Sequence, residues 1–419
     1  MAAPHHSRAR TMVETLRSVL RFAPIERDPV ARRLRRAASV GDLRTMARRR
    51  LPGGVFDYID GGAEDEVTLA ANTAAFRRIE LRPRVLRPVG DLEPSTTILG
   101  RHLPFPLVLA PTGFGRIAHP DGELAVARAA ARAGIPFTVS TLATRSIEEV
   151  AAVSNGPKWF QVYVWRDRGL VKEMVERAQA SGYDALVLTV DTAVFGRRER
   201  DVRRGFALPP TIGLRTVIDG ALHPRWTWEF VRSDPIRFAN VAQSSGGGSV
   251  GDGSDPVSLA DYINAQFDPD LSWHDIEWIA SLWDGPIVLK GIQTVEDAVL
   301  AADSGVAAIA LSNHGGRQLD TAPATLDLVA PVADAVGDRL EIICDGGVRR
   351  GSDIVKAVAL GANAAMAGRA YLFGLGVAGE RGVDHVLDLL HADVRRTMAL
   401  LGCTSVEDLT PEVVRLPDG

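Results

Sequence analysis

Eight short apolar segments recur along the chain from residue 104 onward, and this repeat constrains the fold more than any other feature. Each segment is a nearly continuous run rich in Val, Ile, Leu and Ala, as expected for parallel strands that are covered on both faces. The predicted strands are PLVLAP (106–111), PFTVST (136–141), KWFQVYV (158–164), DALVLTVD (184–191), PIVLKG (286–291), AAIALS (307–312), LEIICD (340–345) and NAAMAG (363–368).

Helix-like segments alternate with these runs, and several begin with N-cap signals such as Thr294 before Asp297. The predicted helices are residues 121–133, 146–153, 168–181, 272–283, 294–304, 323–336, 351–360 and 380–401. Eight successive β–α units predict an α/β fold, a (β/α)8 TIM barrel over residues 104–415. A doubly wound open sheet is the structural alternative, but such a sheet rarely needs eight repeats.

Two segments fall outside the repeat. Residues 1–103 are predicted to be a mostly helical lead-in that covers the bottom of the barrel or leans over its top. Residues 205–271 form a long insertion after the fourth strand, with a low-complexity stretch at 243–255. Because a loop this long inside a compact domain is usually functional or disordered, we expect the insertion to be mobile.

Charge and cysteine content narrow the classes of function. The net charge is -4, yet residues 1–50 hold 13 arginines. Such an arm can bind nucleic acid or an anionic membrane, but no nucleic-acid motif accompanies it, so we predict no nucleic-acid partner. The two cysteines exclude a disulfide framework and a zinc quartet. With no apolar run of signal-peptide or membrane-spanning length, a cytoplasmic protein is expected.

Polar residues or glycines end every predicted strand, at the edge where barrels of this kind place their active sites. A single polar terminus would only indicate a turn, but eight together predict a ring of ligand contacts. The termini are Pro111-Thr112-Gly113, Ser140-Thr141, Gln161 to Tyr163, Thr189 to Asp191, Lys290-Gly291, Ser312 to His314, Asp345 to Gly347 and Gly368-Arg369.

Three of these termini indicate anion binding. The segments DGGVRRG (345–351) and AGRA (367–370) combine glycines, arginines and a helix start, which predicts a phosphate site after strands seven and eight. Lys290 ends an otherwise apolar strand, so its ammonium needs a negative or electron-rich ligand, with a structural ion pair as the alternative.

The run SNHGGRQLD (312–320) places a histidine and an arginine on a glycine-rich loop over the barrel mouth. A histidine can accept a proton near neutral pH, and an arginine can bind a carboxylate through two hydrogen bonds. Arg198 follows Asp191, a carboxylate that would favour a protonated histidine. A metal site is disfavoured because no second histidine or cysteine stands at ligand spacing from His314.

SNHGGRQLD resembles the active-site signature of the FMN-dependent 2-hydroxy-acid dehydrogenases and oxidases, the family of glycolate oxidase and of the lactate and mandelate dehydrogenases. The resemblance extends from about residue 40 to residue 415. It includes FDYIDGGAEDE (56–66), APTG (110–113), FQVYV (160–164), TVDTAVFGRRERD (189–201), LKG (289–291) and DGGVRRGSD (345–353).

The resemblance implies a role for each matching residue. His314 would be the catalytic base and Asp191 its partner, while Arg198 and Arg317 would bind the substrate carboxylate. Tyr58 and Tyr163 would be hydrogen-bonded to the substrate. The implied FMN contacts are Pro111, Thr112, Gly113, Ser140, Gln161, Thr189, Lys290 and Ser312 toward the ring, and Asp345, Gly347, Arg349, Gly368 and Arg369 toward the phosphate.

As a function, the resemblance implies oxidation of an L-2-hydroxy acid, L-lactate above others, by a homotetramer that passes electrons to a quinone or another carrier. An oxidase that makes peroxide is the first alternative, although Gly113 stands where the oxidases carry alanine. Leu142 replaces a tryptophan of glycolate oxidase, so side chains larger than that of glycolate would fit.

Two further alternatives are weaker. A peptide-cofactor maturation enzyme of the mycofactocin type departs from the arginine that this chain keeps as Arg317. An FMN-binding module without activity is disfavoured because every catalytic position is filled.

Residues 205–242 mix apolar rings with cations, a combination that suits peripheral contact with the inner face of the cell membrane. The resemblance supports this interpretation, since the quinone-linked lactate and mandelate dehydrogenases carry a membrane-contacting segment at the same place. The alternative is that the tryptophans cap the barrel or a subunit contact. The residues concerned are Trp226, Trp228, Phe230, Val231, Ile236 and Phe238, among Arg215, Arg225, Arg232 and Arg237.

Overall fold

The computed structural model describes residues 26–204, 213–242 and 265–416. Residues 1–25 of the arginine-rich arm and the low-complexity stretch at 243–255 lie outside the described residues. The chain divides into two compact units, residues 1–37 and 38–419. In the first unit, helix α1 (Pro29–Leu34) is capped by Asp28, whose carboxylate accepts from the backbone N–H groups of Val30 and Ala31.

The second unit begins with three helices and a hairpin: α2 (Val40–Arg50), α3 (Gly53–Asp60), α4 (Val67–Arg78), β1 (Glu80–Leu81), β2 (Thr96–Ile98) and β3 (Arg101–Leu103). The β2–β3 hairpin closes the bottom of the barrel, because Ile98 and Leu103 are fully buried in the core that the barrel strands form. Leu99 N–H donates to the Glu341 carboxylate at 2.8 Å and fixes the hairpin there.

Eight parallel strands close into a barrel: β4 (Leu107–Leu109), β5 (Phe137–Ser140), β6 (Lys158–Tyr163), β7 (Ala185–Thr189), β8 (Ile287–Ile292), β9 (Ala308–Leu311), β10 (Glu341–Asp345) and β11 (Ala364–Ala367). Every predicted strand segment coincides with one of them, β8 running one residue past its predicted end, so the predicted (β/α)8 barrel is confirmed. β12 (Val414–Arg415) pairs with β1 outside the barrel.

The helices that follow are α5 (Gly122–Ala133), α6 (Ile147–Val153), α7 (Arg168–Ala180), α8 (Glu199–Arg204), α9 (Leu214–Leu222), α10 (Pro224–Arg232), α11 (Ala239–Ala242), α12 (His274–Ala280), α13 (Val295–Asp303), α14 (Leu326–Val336), α15 (Gly351–Ala359), α16 (Arg369–Ala378) and α17 (Glu380–Leu401). Short 3₁₀ turns lie at Gly115–Ile117, Val406–Asp408 and Pro411–Val413. α8 to α11 belong to the segment between β7 and β8 that carries the insertion.

Helix α16 is not among the predicted helices, and its burial explains why. Residues Ala370 to Val377 are all buried, so the helix shows no polar face and no 3.6-residue period of hydrophobicity. Its Gly374 lies directly against Gly382 of α17: a Cβ atom at Gly382 would come within 1.9 Å of the Gly374 carbonyl oxygen. The two glycines therefore allow the helix backbones to touch.

This contact predicts that Gly382→Ala destabilises the protein. The added methyl group has no space unless α16 and α17 separate, which should lower the free energy of unfolding by roughly 1–3 kcal/mol. The measurement is the thermal unfolding midpoint of the FMN-loaded protein. Gly90→Ala is the matched control, because a Cβ atom there meets nothing within 4 Å. Equal midpoints for the two variants would contradict the prediction.

Candidate active site

One cavity opens at the C-terminal end of the barrel strands and collects most of the residues predicted from the sequence. The exceptions are Gln161, Asp191 and Ser312, which do not line the cavity. The predicted residues that line it are Tyr58, Pro111, Thr112, Gly113, Ser140, Tyr163, Thr189, Arg198, Lys290, His314, Arg317, Asp345, Gly347, Arg349, Gly368 and Arg369. Strands that run in parallel bring these distant positions to one edge.

His314 is paired with a buried carboxylate. Its Nδ1 lies 3.0 Å from Asp191 Oδ1, and the Asp191 side chain is only 3% exposed. Because a carboxylate can only accept, Nδ1 carries the proton and Nε2 is the acceptor of the neutral ring. Burial alone would raise the pKa of Asp191, but His314 and Lys290 hold that pKa below its ordinary value. The pair can therefore accept a proton and stabilise the resulting imidazolium.

The loop that carries His314 has an unusual backbone. His314, Gly315 and Gly316 have φ angles of 57°, 67° and 72°, all in the left-handed region. Glycine adopts this region freely, whereas it is strained for histidine. The loop keeps this shape because Asn313 and Asn72 of α4 exchange two amide hydrogen bonds of 2.8 Å, and Asn313 Oδ1 also accepts from Gly316 N–H.

Two arginines lie over the ring of Tyr58. The guanidinium carbons of Arg317 and Arg198 are 5.1 Å and 5.7 Å from its centroid, in the range of cation–π contacts. Arg317 Nη1 donates to the Tyr58 carbonyl at 2.7 Å. Burial, with the nearby charge of Arg198, lowers the pKa of Arg317 to about 10. Burial also raises the pKa of Tyr163, which keeps its hydroxyl protonated as a donor.

Lys290 is buried at the base of the cavity in a hydrogen-bonded triangle. Its Nζ lies 2.9 Å from both Ser312 Oγ and Asp345 Oδ2, and Ser312 Oγ donates to the same carboxylate oxygen at 2.7 Å. Burial lowers the pKa of Lys290, but Asp345 and Asp191 together raise it above its ordinary value. The ammonium is thus charged. The structural ion pair that the sequence left as an alternative is present with Asp345, and Lys290 lines the cavity as well.

Two more cations line the cavity near β10 and β11. Arg369 donates to the carbonyls of Ile59, Gly315 and Gly61 at 2.7–3.0 Å, and burial lowers its pKa to about 9. Burial also lowers the pKa of Arg349. Within the described ranges, neither guanidinium has a carboxylate within 4.0 Å. A partly desolvated cation without a counter-ion is costly, so this end of the cavity suits an anion such as phosphate.

These features fit the FMN that the sequence resemblance implies. Gln161 Nε2 and Thr189 Oγ1 are buried without a hydrogen-bond partner in the described structure, and both stand where the predicted ring contacts lie. Gly346 and Gly347 have φ angles of 117° and 85° and present backbone instead of side chains to the cavity. An unsatisfied threonine hydroxyl on the cavity wall, together with guanidinium groups that have no carboxylate partner in the described ranges, matches a polar heteroaromatic ring with a phosphate tail.

Sequence reasoning missed two residues that shape this site. Asn72 holds the His314 loop from outside the barrel, and nothing in its sequence neighbourhood signals this. Gln318 lies within SNHGGRQLD but received no role. Its Nε2 donates to the carbonyls of Asp191 and Val194, both at 2.9 Å, and its Oε1 accepts from Gly196 N–H at 3.1 Å. It therefore ties the His314 loop to the loop that leads to Arg198.

Known proteins resemble this chain over most of its length. Residues 47–416 match the family model described as FMN-dependent dehydrogenase. A protein of Mycobacterium tuberculosis is 46% identical over 96% of this chain and 95% of its own length. An L-lactate dehydrogenase of Caulobacter vibrioides is 43% identical over 90% of this chain and 97% of its own.

A solved structure described as monotopic membrane protein (S)-mandelate dehydrogenase superimposes with a TM-score of 0.87 and 40% identity. It matches 91% of this chain and 100% of its own length. An L-lactate oxidase of Nostoc is 44% identical over 88% of this chain and 96% of its own. The similar proteins thus differ in substrate and electron acceptor.

Proposed function

The chain belongs to the family of FMN-dependent dehydrogenases, and from this premise we propose that it oxidises an L-2-hydroxy acid to the 2-oxo acid. The first candidate substrate is L-lactate, and the proposed electron acceptor is a quinone or another carrier. One observation carries the proposal: a histidine paired with a buried carboxylate shares a cavity with two arginines that lie over one tyrosine ring.

Substrate binding is assigned to the arginine pair. The carboxylate of the hydroxy acid would be bound by Arg198 and Arg317, with Tyr58 and Tyr163 as hydrogen-bond donors. Both arginines lie in a partly desolvated cavity, where their charges attract an anion more strongly than they would in water. This binding would hold the α-carbon and its hydroxyl group close to His314.

Proton transfer is assigned to His314. Its Nε2 would accept a proton from the substrate, and Asp191 would stabilise the imidazolium through the 3.0 Å contact at Nδ1. When bound, FMN accepts the two electrons that leave the substrate. Lys290, charged and buried at the base of the cavity, would supply positive potential beside the ring position. The residues that would hold the cofactor are those predicted from the sequence, from Pro111 to Arg369.

A carrier is favoured over O2 by Gly113 itself, because the family resemblance places alanine at this position in the oxidases. A Cβ atom there would come within 3.1 Å of Leu142 Cβ and 3.2 Å of Leu142 O, so the alanine of the oxidases would need Leu142 to move. The same leucine lines the cavity together with Phe195, which leaves an apolar wall for the substrate side chain. This wall would contact the methyl group of lactate. It would also suit the apolar side chain of mandelate, the substrate named in the similar structures.

Membrane attachment is proposed for the helical hairpin formed by α9 and α10. Neither helix has a buried residue, although both are rich in apolar side chains. Exposed apolar groups this dense need a partner, and exposed Arg215, Arg225 and Arg232 favour an anionic lipid surface. Among the described helices, none is long and apolar enough to cross a bilayer. The outward side chains are Leu214, Val217, Ile218, Leu222, Trp228, Phe230 and Val231.

The location on the inner face of the membrane, and the homotetramer that the sequence resemblance implies, stay predictions.

Anaerobic flavin reduction tests the reaction itself. In a screen of glycolate, L-lactate and (S)-mandelate, at least one acid should bleach the FMN of the wild-type enzyme. His314→Ala should bleach more slowly by a factor on the order of 10²–10⁴, because the base is lost while the arginines remain. The measurement is stopped-flow absorbance of the flavin, with FMN content as control. No bleaching by any acid, or bleaching by His314→Ala at the wild-type rate, would refute the proposal.

The choice of acceptor is tested by comparing peroxide yield with reduction of a soluble quinone analogue. Wild-type enzyme should reduce the quinone analogue and release little peroxide in air. Gly113→Ala should lower the rate of substrate oxidation, because the new methyl group displaces Leu142 from the cavity wall. A wild-type enzyme that converts nearly all of its substrate electrons to peroxide is an oxidase, and the carrier proposal would then be wrong.

Flotation with anionic liposomes tests membrane attachment. Wild-type protein should co-float at low salt, and the double variant Leu222→Glu/Trp228→Glu should not, because it places two charges on the exposed face of the hairpin. Leu400→Glu is the matched control, since this leucine is 68% exposed on α17, outside the hairpin. Light scattering without lipid accompanies the assay. A hairpin variant that floats like the control, or that changes only the oligomeric state, would contradict lipid binding.

A further inference from the structure

Asp201 lies behind the two arginines assigned to the substrate carboxylate. Arg198 and Arg317 face the same ring of Tyr58, and the charge of Arg198 lowers the pKa of Arg317. Asp201 Oδ2 is 3.7 Å from Arg198 Nη1. In the described part of the chain, it is the one carboxylate within 4.0 Å of either guanidinium.

The position of Asp201 is built into the fold. Asp201 is 7% exposed and does not line the cavity, so substrate cannot touch it directly. Its helix, α8, is held against α3 by two ion pairs: Arg200 Nη1 lies 3.1 Å from Asp60, and Arg204 Nε lies 2.9 Å from Asp57. With α8 held in this way, the buried Asp201 lies next to Arg198.

We propose that Asp201 is a positioning residue for the arginine pair: it holds Arg198 at the cavity wall and supplies the negative charge that keeps both guanidinium groups together before the substrate carboxylate binds. The proposal rests on the proposed function, because it assigns that pair to substrate binding. Burying a carboxylate is costly because the charge loses its contact with water. Beside two cations, the Asp201 carboxylate acts as a counter-ion that offsets their mutual repulsion.

The charges around the pair give this role a pH signature. Arg198, Tyr58, Asp201 and Tyr163 act on Arg317, and of these groups Arg198 lowers its pKa while Asp201 raises it. Arg198, Arg317, Asp57 and Arg200 act on Asp201, whose pKa burial raises above its ordinary value. Without the Asp201 charge, Arg317 should release its proton at a lower pH. Binding of a carboxylate should then weaken earlier as the pH rises.

Asp201→Asn in the FMN-loaded full chain tests the proposal. We expect KM for the hydroxy acid to rise on the order of tenfold, with kcat changed less. The alkaline loss of binding, set in the wild type by the Arg317 pKa of about 10, should move down by about one pH unit. Glu199→Gln is the matched control, because it neutralises a carboxylate of the same helix α8 whose ion-pair partner is the exposed Arg203. It should leave both quantities at wild-type values.

Direct binding separates this proposal from the proposed function. Pyruvate and phenylglyoxylate are titrated into the oxidised enzyme and followed by the flavin difference spectrum, which needs no turnover. Asp201→Asn should raise their Kd in parallel with KM. The role of Asp201 is overturned if the variant binds these acids as tightly as the wild type or more tightly, or if the pH at which binding is lost on the alkaline side does not move. It is also overturned if the wild type binds neither acid. Failure of every hydroxy acid to bleach the flavin counts instead against the proposed function.

A second variant covers the case in which Asp201→Asn does not retain FMN. Asp201→Glu keeps the charge and moves it by one methylene group. The alkaline limb should then stay at the wild-type pH while KM rises, and a wild-type KM for this variant would overturn the positioning role.

Discussion

The reciprocal hydrogen bonds between Asn72 and Asn313 are the interaction on which the site depends most. They join a helix outside the barrel to the loop after β9, and both amides are almost completely buried. A buried amide that loses its partner is costly, so the two side chains fix each other. His314 follows Asn313 directly and adopts a strained left-handed backbone, which such contacts can hold in place. The barrel provides the edge of strand ends at which the site lies, and α4 fixes the position of the proposed catalytic base, His314.

A second constraint is the excess of positive charge in the cavity. Arg317, Arg349 and Arg369 are half-buried in the wall of one cavity, and desolvation lowers the pKa of each. The polypeptide provides backbone carbonyls for Arg317 and Arg369 but, in the ranges that the structure describes, no carboxylate within 4.0 Å of any of the three. An arrangement of this kind is favourable only when anionic ligands enter, so binding of a phosphate and a carboxylate should stabilise the folded protein as well as load the enzyme.

The sequence predicted the barrel and the strand-end residues well because both depend on local patterns. Apolar runs with polar ends mark parallel strands, and parallel strands meet at one edge whatever lies between them. Helix α16 escaped prediction because it is buried on all sides. Asn72 escaped because its partner is 241 residues away, and an asparagine in a helix carries no local sign of such a bond. Gln318 lies in the recognised motif, yet its three backbone contacts depend on how two loops fold against each other.

Helix α3 connects the hairpin of α9 and α10 to the site. Asp219 of α9 accepts from the backbone N–H of Gly53, the first residue of α3, at 2.6 Å. Glu229 of α10 is paired with Arg50, which ends α2 just before α3. Tyr58, whose ring both arginines face, lies on the same short helix. The hairpin of α9 and α10 contacts the start of α3, and α8 contacts its side. A membrane surface that binds the hairpin would therefore also restrain α3 and with it Tyr58. Membrane contact and substrate binding would therefore share one rigid element, and the insertion has a structural role at the site even without lipid.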